Sequence, residues 1–297
     1  MSEHQGAWVQ GDLKSVHERV TQRIVERLEE GVVPWHTPHF ATVGFPRNFQ
    51  SGKHYRGVNV MLLGMAGYVS PWFLTYQQAQ ERGGQVRKGE KGYLVIKFGT
   101  HAKELDEGQK EFRKFLRHYV VFNASQIDGV EFPEPPRPPT TAVEKTDRAQ
   151  AIVAAMPKPP AIHEGRRAQT FYDPQADSVD IPHRSYFKSG ERFYKSLFHE
   201  LVHSTGAAHR LARKTLLENR GIWASDRTTY SKEELVAEIG AAFLCAHAGI
   251  VMDDHEDSAA YIQSWLKVLK DGNNRNWIVE AAGHAQKAVD YVLNREP

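Results

Sequence analysis

Residues 189–206 read Ser-Gly-Glu-Arg-Phe-Tyr-Lys-Ser-Leu-Phe-His-Glu-Leu-Val-His-Ser-Thr-Gly, and their centre is His199-Glu-Leu-Val-His203. Tyr194, Leu197 and Phe198 give the stretch an apolar side at helical spacing, which predicts a helix over 191–205 that stops at Gly206. On a helix, side chains four residues apart share a face, so His199 and His203 can bind one metal ion through their imidazoles. Glu200 lies beside them, within reach of a metal-bound water. Zinc lowers the pKa of such a water to about 7 and polarises a carbonyl. A carboxylate can take the water's proton and return it to a leaving amine, which makes Glu200 the candidate general base. The plain alternative is a surface helix carrying two unrelated histidines.

A catalytic zinc site takes three protein ligands. Two residues compete for the third place. His209 completes His-Glu-x-x-His-x-x-Gly-x-x-His, the metzincin spacing, although Met252 is the only methionine after it and no convincing Met-turn follows. Glu238 sits in Glu234-Leu-Val-Ala-Glu-Ile-Gly-Ala-Ala-Phe-Leu-Cys245, a lone carboxylate in a small, apolar helical run. Burying such a charge is costly unless it is paired or binds a metal. Burial favours Glu238; an ion pair with Arg192 or Lys195 and a loop role for His209 stay open. Gly240, Ala241 and Ala242 would let the Glu238 helix approach another closely. Ser178–Pro182 suits an edge strand for an extended substrate, and Tyr230 is an oxyanion candidate.

Working outward, residues 131–141 hold five prolines and read as a semi-rigid linker. They divide the chain into residues 1–130, a linker at 131–142, and residues 143–297. The net charge of +2 conceals an asymmetry. The first part has seventeen Lys and Arg against thirteen Asp and Glu, so the remainder is mildly acidic. The basic excess lies in 45–100, with eight cations against two anions. One cysteine, Cys245, excludes an intrachain disulfide framework and fits a reducing compartment. The start lacks the basic and apolar regions of a signal peptide. The longest uncharged stretch, 57–80, is interrupted by glycine, proline and glutamine, so no membrane span is expected and a cytoplasmic location is.

The first part opens with an amphipathic helix over 13–30, with Gly31 as its cap. A turn centres on Ser51-Gly52. Thr75 and Gln78 form a candidate capping box for a short helix ending at Gly83-Gly84. Strands are expected at 93–98 and 118–123, then at 169–172 and 178–181. Further helices are expected at 231–248, 258–270 and 275–294. The fold class is α+β in two domains. Between 35 and 98, aromatics interleave with basic residues, the combination that binds single-stranded nucleic acid by stacking and phosphate contact. The candidates are Trp35, Phe49, Lys53, Tyr55, Arg56, Trp72, Arg87, Lys88 and Lys91; a merely solvated basic face is the alternative.

Several stretches resemble one family. Val32-Val-Pro-Trp35, Gly52-Lys-His-Tyr-Arg-Gly-Val-Asn59, Leu74-Thr-Tyr-Gln-Gln-Ala-Gln80 and Gly84-Gln-Val-Arg-Lys-Gly-Glu-Lys-Gly92 resemble the N-terminal domain of ArdC-type antirestriction proteins. Val179-Asp-Ile-Pro182, Phe187, His199–Gly206, Arg210-Leu211 and Glu234–Phe243 resemble that family's zincin metallopeptidase-like domain. The resemblance implies an N-terminal domain that binds single-stranded DNA. It implies a second domain holding Zn²⁺, or another divalent metal such as Mn²⁺, on His199, His203 and Glu238. It also implies carriage by a conjugative plasmid whose incoming DNA is shielded from host restriction. The second domain is similar in kind to Spartan-type proteases, so an active protease that cleaves DNA-bound or restriction-related proteins is the alternative, with DNA binding as targeting.

Overall fold

In the computed structural model the first amphipathic stretch forms α1 (Leu13–Glu29). Val16, Val20, Ile24 and Leu28 recur every fourth residue and are all buried. Gly31 ends the helix at a φ of +78°, a conformation that favours glycine. There follow α2 (Pro38–Val43), β1 (Arg47–Asn48), α3 (Val58–Gly64), β2 (Trp72–Thr75), α4 (Tyr76–Glu81), β3 (Gln85–Val86), β4 (Tyr93–Glu104), β5 (Lys110–Asn123) and β6 (Ile127–Asp128). The second half comprises α5 (Ala142–Ala155), β7 (Ala161–Glu164), β8 (Phe171–Asp173), β9 (Ser178–Ile181), α6 (Gly190–Thr205), α7 (Lys214–Leu217), α8 (Arg227–Ala248), α9 (Ser258–Lys270) and α10 (Trp277–Val292). The structure describes residues 13–104, 110–135, 138–139, 141–218, 227–251, 258–270 and 276–296.

The first half is built on a sheet of order β1-β2-β5-β4. The Thr75 capping box forms as expected: Gln78 N–H donates to the Thr75 hydroxyl, and Thr75 N–H donates to the Gln78 amide oxygen. β4 and β5 pair in antiparallel register from Tyr93↔Val121 to Glu104↔Lys110. Both strands run well past the expected 93–98 and 118–123. The extension is rich in Lys, Arg and Glu, which hides a strand from an apolar-alternation reading.

In the second half, β9 is the central strand of a sheet ordered β7-β9-β8, parallel to β7 and antiparallel to β8. The expectation of an edge strand at 178–182 is therefore corrected: Ser178–Ile181 is paired on both sides. All four of these residues are buried, as suits a central strand. Pro182 follows β9 rather than blunting an edge.

The helices α6, α8 and α10 pack together beside this sheet. Gly240 is what lets α8 approach α6, because a Cβ there would lie 2.8 Å from a Val202 methyl. One apolar cluster runs through both halves, from Val16, Trp35, Phe45 and Met61 to Phe198, Ile239 and Val289. Trp35 meets Trp265 edge-on at 4.9 Å, Phe45 meets Phe243 at 5.8 Å, and Gly57 N–H donates to Gln286 at 3.1 Å. The proline-rich stretch thus joins halves that share a core. Among the described residues, no helix is long and apolar enough to cross a membrane.

Candidate metal centre and nucleic-acid face

Ser189 caps α6 by accepting the Arg192 N–H, and the helix carries His199 and His203 one turn apart with their Nε2 atoms 3.1 Å from each other. Glu234 of α8 reaches both: one oxygen lies 3.4 Å from His199 Nε2 and the other 3.4 Å from His203 Nε2. These three residues are the group whose donor atoms converge, all within 4.8 Å, among the described residues. The far ring nitrogens are held by the neighbouring glutamates. Glu238 lies 3.4 Å from His199 Nδ1, and Glu233 lies 3.1 Å from His203 Nδ1. The structure therefore places Glu234, not the expected Glu238, against the converging nitrogens. Both face α6, but Glu238 is one turn further along α8 and meets the opposite side of the His199 ring. His209 is also away from the cluster, with its Nε2 3.3 Å from Asp177.

Glu233 is itself fixed by Arg213, whose Nε donates to it at 2.9 Å. Arg213 also donates to the Thr205 hydroxyl at 3.0 Å and the Val202 carbonyl at 2.9 Å, so it ties α8 to the end of α6. Burial pushes the Glu233 carboxyl up, but Arg213 outweighs it and the net pKa falls to about 2. Burial likewise pushes both imidazoles down and is outweighed by the carboxylates. His199 is raised well above its usual value by Glu234 and Glu238, and His203 is raised to about 9 by Glu234 and Glu233. Two imidazoles drawn this close to buried anions form a site that wants positive charge. Two imidazole nitrogens and a carboxylate, each imidazole oriented through its other nitrogen, fit a divalent ion.

Glu200, next to His199 on α6, is tied to the sheet. It is 8 % exposed, and its Oε2 accepts the backbone N–H of Tyr172 on β8 at 2.8 Å. Tyr230 lies on α8, but its side chain is outside the described residues. The residues missed in the sequence are Glu233, Glu234 and Arg213. Glu234 sits four residues before Glu238 on the same face, and that spacing was a readable signal.

The nucleic-acid candidates scatter. Trp35 is 1 % exposed, packed against Trp265, and cannot stack on a base; it belongs to the core. Tyr55 is half-buried and packs edge-on against Phe73, and burial raises its hydroxyl pKa. Arg56 pairs with Asp290 of α10 and helps join the halves. Phe49 and Trp72 come together at 5.4 Å, with Phe132 4.8 Å from Phe49. The guanidinium of Arg82 lies 4.5 Å over Phe49, and that of Arg47 lies 5.7 Å over Trp72. Neither Arg47 nor Arg82 was singled out in the sequence. Lys53, Lys88 and Lys91 are exposed. Arg87 is exposed too, but engages Glu90 at 2.8 Å and Asp128 at 3.3 Å.

Residues 14–122 match the family described as the N-terminal domain of anti-restriction factor ArdC, and residues 147–284 match the MPTase-PolyVal family, a zincin-like metallopeptidase. The crystal structure of antirestriction protein ArdC from plasmid R388 is similar in its metal-free form, with 37 % identity, coverage of 97 % of this chain and 100 % of that one, and a TM-score of 0.76. Its Mn(II)-bound structure is 38 % identical, with coverage of 96 % and 98 % and a TM-score of 0.75. The uncharacterized protein y4eC of Sinorhizobium fredii is 35 % identical over 93 % of this chain and 91 % of its own. A DNA primase TraC of Escherichia coli is 35 % identical over 94 % of this chain, which spans only 27 % of that protein. Matched in both halves and along nearly its whole length, the chain belongs to the ArdC antirestriction family, with an N-terminal ArdC domain and a zincin-like metallopeptidase domain.

Proposed function

We propose that this protein binds single-stranded DNA with its N-terminal half and protects entering conjugative DNA from host restriction in the cytoplasm. Its second half holds Zn²⁺, or another divalent ion such as Mn²⁺, on His199, His203 and Glu234. The convergence of one carboxylate on two Nε2 atoms carries the metal assignment, and the Mn(II)-bound relative supports it. When bound, the ion would supply a Lewis acid and an activated water. Glu233 and Glu238 orient the imidazoles. Glu200 would supply the carboxylate able to accept a proton from such a water.

On the N-terminal half, Phe49 and Trp72 with Arg47 and Arg82 form the stacking surface, and Lys53, Lys88 and Lys91 add phosphate contacts. Arg87 contributes more weakly because it already serves two carboxylates. A gel shift with single-stranded oligonucleotides should show binding that weakens steeply as salt rises. Binding that ignores salt would sink this assignment.

The second reading is an active protease that cleaves DNA-bound or restriction-related proteins. One observation favours it: Glu200 is held by a backbone N–H beside a complete set of metal donors. Glu200→Gln separates the two. If the variant binds DNA and protects it fully, the protease reading fails. If it binds DNA and no longer protects, protection by coating alone fails.

A further inference from the structure

Four residues outside the metal cluster are linked to Glu200 by contacts that its helix does not require. Arg210 follows α6, and its side chain is fully buried. It grips Asp177 with two parallel hydrogen bonds of 2.7 and 2.8 Å. It also donates to the Ser204 carbonyl of α6 at 3.0 Å and to the Lys158 carbonyl at 2.9 Å. Asp177 closes the turn between β8 and β9 at a φ of +47°, where glycine would be at ease. Its carboxylate accepts the Tyr172 hydroxyl at 2.9 Å, and His209 Nε2 lies 3.3 Å away. Tyr172 then presents its backbone N–H to Glu200.

We propose that Asp177 and Arg210 are positioning residues for Glu200. They clamp the β8–β9 hairpin to the end of α6, so that the Tyr172 N–H fixes one oxygen of the Glu200 carboxylate and leaves the other to take a proton. This rests on the reading of Glu200 as a general base. A bidentate Arg–carboxylate pair defines orientation as well as attraction. Here it spans the two elements whose relative placement sets the Tyr172–Glu200 hydrogen bond. An unclamped hairpin would leave Glu200 without that anchor. The clamp also gives His209 a task, at the carboxylate of Asp177 rather than at a metal.

A double-mutant cycle on the full chain loaded with Zn²⁺ tests this, read by the affinity for acetohydroxamate, whose hydroxyl proton Glu200 would accept. Asp177→Ala is expected to weaken hydroxamate binding roughly 10-fold. It should leave Zn²⁺ affinity unchanged and add nothing once Glu200 is already Ala. Asp177→Asn keeps size and part of the hydrogen bonding; it should give a smaller loss of the same pattern, and it replaces the alanine variant if that one fails to fold. No loss overturns the proposal. So does an equal loss in the Glu200→Ala background, or a parallel loss of Zn²⁺ affinity. If the unmodified Zn²⁺-loaded protein fails to bind hydroxamate at all, the peptidase-like reading of the site falls, and the proposal falls with it.

Discussion

Glu234 and Glu238 lie four residues apart on one face of α8, yet they meet opposite nitrogens of His199. In the proposed site Glu234 would therefore be the metal ligand, and Glu238 the partner that orients the His199 ring. Glu234→Gln is expected to reduce zinc affinity more than Glu238→Gln, for which a loss of about 10–100-fold suits a partner that orients a ligand. Competition with a chelator checks the order, and a reversed order would return the third place to Glu238. Burial reasoning could not separate the two from sequence. It singled out Glu238 because apolar residues surround it, whereas Glu234 follows Glu233 and looks like the charged start of a helix. Trp35 shows the same limit among aromatics: beside a basic stretch a tryptophan reads equally as core or as a stacking platform. Trp35→Ala is expected to cost about 3–5 kcal/mol of stability. Trp72→Ala should weaken single-stranded DNA binding by about 1–3 kcal/mol with little loss of stability. Thermal denaturation beside oligonucleotide titration distinguishes these outcomes.

At the scale of elements, the helices were the most legible part. The 3.6-residue periodicity of α1, α6, α9 and α10 and the Thr75 box are local, so they survive in the sequence as patterns. Strand pairing is not local. Nothing in Ser178–Ile181 announces that both its edges are covered, and the charged stretches of β4 and β5 become strands only through each other. That α8 comes close to another helix was legible, because Gly240 announces it; that the partner is α6 was not. Gly240→Ala would gain about 1 kcal/mol of helix propensity. The clash with Val202 should cost about 1–3 kcal/mol. The expected net result is a lower melting temperature together with weaker zinc binding, as the glutamates of α8 withdraw from α6. Unchanged zinc affinity in a destabilised variant would separate the packing from the site.

At the scale of the molecule, the two halves meet partly through histidines. Phe45 lies 4.4 Å from the His247 ring of α8 and 6.5 Å from that of His54. Burial pushes His54 down to about 4, with Arg47 and Arg295 adding to it, and burial pushes His247 down to about 3. In the unfolded chain both protonate near 6.5. Between that pH and about 4 the unfolded state binds more protons, so stability is expected to fall as pH falls through this window. His247→Phe should flatten the decline in melting temperature, and a slope identical to the unmodified protein would remove His247 from the account.

The shared core has a consequence for how such a protein travels. A cut at the proline-rich stretch would strip Val16, Trp35 and Phe45 from Trp265 and Phe243, leaving two sticky remnants in place of two working parts. Recombination should therefore pass the whole span on as a single cassette. The TraC match fits that rule: 94 % of this chain aligns, at 35 % identity, with 27 % of that far longer protein.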